Sequence, residues 1–80
     1  MKPDLKTWVE AVARDLVDHT DAVSVNSFED EGVMVFELTV DTSELGRVIG
    51  RQGRTAQALR TLLEAAGAKH GQYYELEIVE

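Results

Sequence analysis

What the sequence has little of narrows its chemistry before any motif is considered. There is no cysteine, which excludes disulfides and cysteine-ligated zinc and fits a reducing cytoplasm. Only two histidines occur, His19 and His70, far apart near expected helix ends, and no cluster has metal-ligand spacing. Serine, histidine and aspartate are present, but no strained elbow surrounds a serine, so no nucleophile–base–acid set can be built and no enzyme activity is expected. No apolar run approaches the ~20 residues that a membrane helix needs. Residues 1–8, MKPDLKTW, lack the apolar core of a signal peptide, and a cytoplasmic location is expected. Basic residues are scarce: eight against fifteen acidic, for a net charge of −7. Taken alone, that balance argues against nucleic acid, because phosphate contacts need cations.

What is present is one small domain spanning residues 1–80. A chain this short buries only about 60–65% of its unfolded surface, so the core is thin and dimerisation would add to it. Leu5, Trp8, Val9, Val12, Leu16 and Val17 recur at helical steps and predict a helix over 4–18, with Pro3 suited to its first turn. Asp15 and Asp18 would then sit at the unfavourable end of its dipole. Residues 22–29 and 33–40 read as strands around an Asp30-Glu31-Gly32 turn, with a bulge or an early strand end expected where the alternation breaks at Ser27 and Phe28. Asp41 with Glu44 has the spacing of a capping box and opens a short helix over 42–49. A second helix is expected over 54–66, with Ala56, Leu59, Leu62, Leu63 and Ala66 on its inner face and Gly67 ending it in the left-handed conformation. Residues 72–79 form the last strand. The fold class is α+β in the order α-β-β-α-α-β, a three-stranded sheet with helices packed on one face.

The distribution of charge qualifies its sum. Arg47, Arg51, Arg54 and Arg60 are half of the eight basic residues, and no acid lies between Gly46 and Leu63. Within this stretch, Gly50-Arg51-Gln52-Gly53 joins two helices. Glycines at both corners of a sharp reversal explain themselves, but a purely structural turn would accept Asn, Asp or Ser between them. Arg51 offers a forked donor to phosphate and Gln52 neutral donors, while the helix starting at Arg54 offers free N–H groups and a dipole. Arg47 and Arg54 extend the basic strip. The nucleotide-hydrolase loop GxxxxGK[ST] does not fit, because Val48 stands at its first glycine and its lysine is absent. The fingerprint GxGxxG fails at Val48 too, in a chain too short for a dinucleotide-binding sheet.

Val48-Ile49-Gly50-Arg51-Gln52-Gly53, between short helices and after a hairpin, resembles the GXXG signature of a KH domain, whose loop clamps about four nucleotides of single-stranded RNA backbone. The leading helix resembles the type II, bacterial arrangement. The run IGRQGRTAQALRTLLEAAG, in a chain with nothing outside one KH unit, is similar to the single-KH proteins of the KhpA family. The resemblance implies a type II KH fold and single-stranded RNA as partner, with a role in RNA chaperoning or post-transcriptional regulation. It casts Gly50 and Gly53 as clamp glycines, Arg51 and Gln52 as the pair touching phosphates, and Ile49 as the base of the groove. It also implies a homodimer, or a heterodimer with a KH protein of the KhpB (Jag) type. No cofactor, metal or membrane contact is implied. The acidity departs from this pattern and is expected to weaken or narrow RNA binding. The alternative function is a protein-interaction adaptor on a KH fold. Among single residues, Trp8 and Tyr74 are read as packing, Tyr73 as a half-exposed aromatic, and the two histidines as partners of helix ends.

Overall fold

The computed structural model describes residues 4–80, so the place expected for Pro3 lies outside the described residues. Helix α1 (Leu5–Leu16) is opened by Asp4, whose carboxylate accepts from the Thr7 N–H at 3.2 Å and the Thr7 hydroxyl at 2.7 Å. Its Val9 and Ala13 are buried, and Leu5, Trp8, Val12 and Leu16 pack around them. The helix ends before the expected residue 18. Val17 turns to extended backbone and is itself buried, which leaves Asp18 outside the helix, where its carboxylate pairs with Arg47 at 3.2 Å.

Strands β1 (Ser24–Asp30) and β2 (Val33–Thr39) pair antiparallel without interruption from Ser24 opposite Thr39 to Asp30 opposite Val33. Neither the bulge nor the early strand end expected at Ser27 and Phe28 occurs, because the pairing runs on to Asp30. The break in alternation arises because Phe28 points to the sheet face away from the helices, where Val35 is its cross-strand partner. Glu31 and Gly32 both take positive φ, +50° and +82°, the two-residue turn whose twist matches paired strands.

After β2 the chain makes a 3-10 turn (Thr42–Glu44) and helix α2 (Leu45–Ile49), then a second 3-10 turn (Arg51–Gly53) and helix α3 (Arg54–Lys69). Strand β3 (Tyr73–Ile78) returns parallel to β2, so the sheet is mixed, in the order β1-β2-β3, with β2 central. The core fills the space between sheet and helices, around Val9, Val25, Phe36, Leu38, Val48, Leu63 and Leu76. Phe36 and Tyr74 meet edge to face at 5.7 Å, a contact worth about 1 kcal/mol beyond area burial. This is the expected α+β order with helices on one face.

Two expectations for α3 need correction. Leu62 is not on the inner face but 55% exposed, because Leu59 and Leu63 take the buried stripe. Gly67 does not end the helix. It is a buried helical residue, and a Cβ there would lie 2.5 Å from the Gln72 carbonyl oxygen and 3.3 Å from the Tyr74 ring. The left-handed residue is Gly71, at φ +69°. The Gln72 N–H donates to Gly67 O at 2.8 Å and the Gly71 N–H to Ala68 O at 3.2 Å, the paired bonds of a Schellman ending.

Candidate nucleic-acid interface

The loop 50–53 rests on a fixed base. Val48 is fully buried, so the short α2 is pinned to the core, and Ile49 is half-buried beside it. Gly50 then turns at φ +80°, ψ 170°. A Cβ on it would collide with Thr55 Oγ1 and lie 2.8 Å from the Thr55 nitrogen, so the start of α3 closes tightly over this glycine. Gln52 stands at φ +57°, ψ 25°, a left-handed conformation that costs a non-glycine residue about 1 kcal/mol. Gly53 follows at φ +73°, ψ 12°, and there a Cβ would meet nothing. Gly50 is thus required by packing and backbone angle, Gly53 by angle alone, and the space over Gly53 is open.

Gly53 is also the residue before α3, and it brings no side chain to the first N–H groups of that helix. No acid lies in the first turn. Arg51, Gln52 and Arg54 are exposed, and neither arginine has an ion pair among the described residues. Two free guanidiniums, an exposed amide and an uncapped helix N-terminus therefore surround an open glycine. Such a group can receive an anion whose backbone comes close to the chain.

The other two arginines of the stretch are engaged elsewhere. Arg47 reaches Asp18 at 3.2 Å and Glu44 at 3.8 Å, on the α1 side of α2. Arg60 is half-buried, and its Nε donates to Leu76 O at 3.4 Å, on the outer edge of β3. There it lines a groove of about 560 Å³ between α3 and β3 whose other charged groups are Glu64, Glu75, Glu77 and Glu80. The strip read from the sequence as one patch of four arginines is therefore basic only at the loop.

Sequence reasoning missed the role of Glu44. The capping-box spacing is only half realised: Asp41 caps the turn by accepting from the Ser43 hydroxyl at 2.7 Å and the Ser43 N–H at 2.9 Å. Glu44 does not reach back to Asp41. It is buried, and its carboxylate accepts the backbone N–H groups of Asp18 at 2.7 Å and His19 at 2.9 Å, with His19 Nδ1 at 2.8 Å. These bonds, led by the one from Asp18, hold the Glu44 carboxyl below its ordinary pKa. The bond and charge of Glu44 hold His19 above its own. Glu44 so clamps the exit of α1 to the helix that leads into the loop. Its position four residues before the buried Val48, on the same side of the chain, was the available signal.

The comparisons with known proteins agree with this architecture. The family model described as "KhpA/KhpB, KH domain" matches residues 6–78. A protein of Aquifex aeolicus (strain VF5) is 54% identical over 76 residues, covering 95% of this chain and 96% of its own. One from Halalkalibacterium halodurans is 43% identical over 76 residues, covering 95% of this chain and all of its own. One from Borreliella burgdorferi is 43% identical over 72 residues, covering 90% of this chain and 88% of its own. Each of the three bears the name RNA-binding protein KhpA. With a family model spanning nearly the whole chain and relatives this similar end to end, the chain belongs to the KhpA/KhpB family of KH-domain proteins.

Proposed function

We propose that this protein is a non-enzymatic, single-stranded RNA-binding protein of the cytoplasm that grips the RNA backbone with its GXXG loop. One observation carries the reading: the open space over left-handed Gly53 lies beside the unpaired Arg51 and Arg54 and the uncapped start of α3. The names of its relatives support RNA as the ligand. Gly53 lets the sugar-phosphate chain approach, Gly50 closes the turn against Thr55, Arg51 and Arg54 meet phosphate oxygens, and Gln52 donates beside them. Ile49 forms the floor. Arg47, tied to Asp18, lends its remaining donors at the rim. The edge of β3 forms the opposite wall, and its acidic neighbours confine the grip to few nucleotides. Binding of this kind is weak and tolerant of sequence, as suits an RNA chaperone or post-transcriptional regulator. A homodimer, or pairing with a KhpB (Jag) type KH protein, would raise affinity by linkage. Leu62, exposed on α3, supports a helix-mediated pairing.

Fluorescence anisotropy of labelled single-stranded RNA pools across a salt series tests this. Arg51→Asp with Gln52→Asp reverses the loop charge, and aspartate tolerates the left-handed position, so circular dichroism should be unchanged. Affinity should fall by about tenfold or more, and the salt dependence should flatten. Equal binding by both proteins, or no binding by the wild type, would assign the loop to a turn in a protein-interaction adaptor.

A further inference from the structure

The helices cover one face of the sheet and leave the other open. On that open face the cross-strand rows are Phe28–Val35–Glu75 and Asn26–Glu37–Glu77, with Val33 beside Tyr73 at the hairpin end. Tyr73 is 77% and Phe28 39% exposed. Glu37 and Glu77 are direct partners, and like charges directly opposite weaken a sheet. Among the described residues no cation pairs with Glu37, Glu75 or Glu77; Glu37 receives only a 3.4 Å bond from the Asn26 amide. An apolar band, with Val35 buried and Phe28 and Tyr73 exposed, thus lies beside an acidic band that has no ion-pair partner among the described residues.

We infer that this face docks a basic, amphipathic segment of another protein. Its apolar side chains cover Phe28 and Tyr73, and its lysines or arginines lie over Glu37, Glu75 and Glu77. A groove of about 560 Å³ that includes Val33, Tyr73 and Glu75, with Glu64 on its α3 side, gives one cation a seat against the tyrosine ring between two carboxylates. Charge complementarity selects this occupant. A second copy pairing through the same face would set Glu37, Glu75 and Glu77 against their own kind, and RNA would be repelled. The glycine loop belongs to the helix layer on the other side of the sheet, so a basic protein segment and RNA can be held together.

The test is an amide NMR titration of the whole protein with a short amphipathic Lys/Leu helical peptide, and with a lysine-only peptide of equal charge. The Lys/Leu peptide should saturate and shift Phe28, Val35, Glu37, Glu75 and Glu77 while leaving Arg51 to Arg54 in place. Glu37→Lys with Glu77→Lys should weaken it by about tenfold, and Tyr73→Ala by severalfold, the latter with RNA affinity unchanged. If the lysine pair disturbs the fold, Glu37→Gln with Glu77→Gln gives a smaller loss in the same direction. The inference is overturned if the lysine-only peptide binds as well and ignores Tyr73→Ala. It is equally overturned if the shifts map to the loop or α1, if RNA shifts Phe28 and Val35 at the centre of this face, or if amide protection in the free protein shows a second copy seated on it.

Discussion

The two ends of α3 are built alike and do different things. Each has a glycine pair, Gly50 with Gly53 before the helix and Gly67 with Gly71 at its end. In each pair one glycine is required by a close approach, Gly50 against Thr55 and Gly67 against Gln72 and Tyr74. The other takes a positive φ with open space around it: Gly53 at +73°, Gly71 at +69°. The difference lies in the backbone groups between. At the far end, the Schellman bonds satisfy the last carbonyls, and the chain enters β3 at once. At the near end the first N–H groups of α3 have no side-chain cap, a residue sits left-handed without being glycine, and arginines flank it unpaired. A pair of glycines is thus a way of turning a chain. It becomes a candidate site only where donors are left over.

The largest effects should come from the two glycines held by contact. Gly50→Ala combines a positive φ with a collision at Thr55 and should cost about 3 kcal/mol. Gly67→Ala presses a methyl on a backbone oxygen. It should cost about 2 kcal/mol, after about 1 kcal/mol regained from helix propensity. Urea denaturation measures both. A neutral Gly67→Ala would make the far end an ordinary helix interior and break the likeness between the ends.

The open glycines sharpen the contrast. Gly53→Ala and Gly71→Ala meet no atoms and should each cost about 1 kcal/mol through backbone angle alone. Only Gly53→Ala should also weaken RNA in the anisotropy assay, because only there does a ligand backbone come close. An equal loss from Gly71→Ala would show that stability rather than contact governs the binding signal.

How far the sequence alone carried is clear from these same residues. Hydrophobic period and turn chemistry placed the α-helices and strands of the described residues, because Val9, Phe36, Leu38 and Leu63 follow the periods that burial imposes, but not the 3-10 turn at Thr20–Ala22. The glycine loop was legible because glycine spacing and missing acids are local facts. Gly67 was misread because its reasons, the Gln72 carbonyl 2.5 Å and the Tyr74 ring 3.3 Å from where a Cβ would lie, reach it only once the chain has turned back into β3. Phe28 looked like a bulge because period-two reading assumes one apolar face, and here the second face is partly apolar too. Arg47 and Arg60 were grouped with the loop because charge along a chain carries no direction. Asp18 and Leu76, their partners, come from other elements.

A smaller effect separates strain from function at the near end. Gln52→Gly removes the left-handed penalty and should stabilise the fold by about 0.5 kcal/mol, net of the entropy that glycine adds to the unfolded chain. RNA affinity should drop modestly, since a donor is lost and the loop loosens. Stabilisation with full affinity would mean that Gln52 is incidental to binding.

The smallest effect concerns the clamp that holds the loop's base to α1. Folding raises the pKa of His19, through the bond and charge of Glu44, so its stabilising share is fully present below the ordinary histidine value of about 6.5. That share is lost as pH rises through the raised folded value. Glu44 works in the opposite sense: its lowered pKa gives stability above the ordinary glutamate range, lost as pH falls through the folded value. The charged pair is therefore complete only in mildly acidic solution. His19→Gln keeps the backbone N–H bond to Glu44 and removes the imidazole charge, so its melting temperature should trail the wild type most between those limits and converge with it in alkaline buffer. The gap should be small, because His19 is mostly exposed and solvent screens the pair. A gap that stayed constant with pH would mean that the ring acts by contact alone. The clamp would then rest on the two backbone N–H groups bonded to the Glu44 carboxylate, and its remaining pH dependence would be the loss on protonating Glu44 in acid.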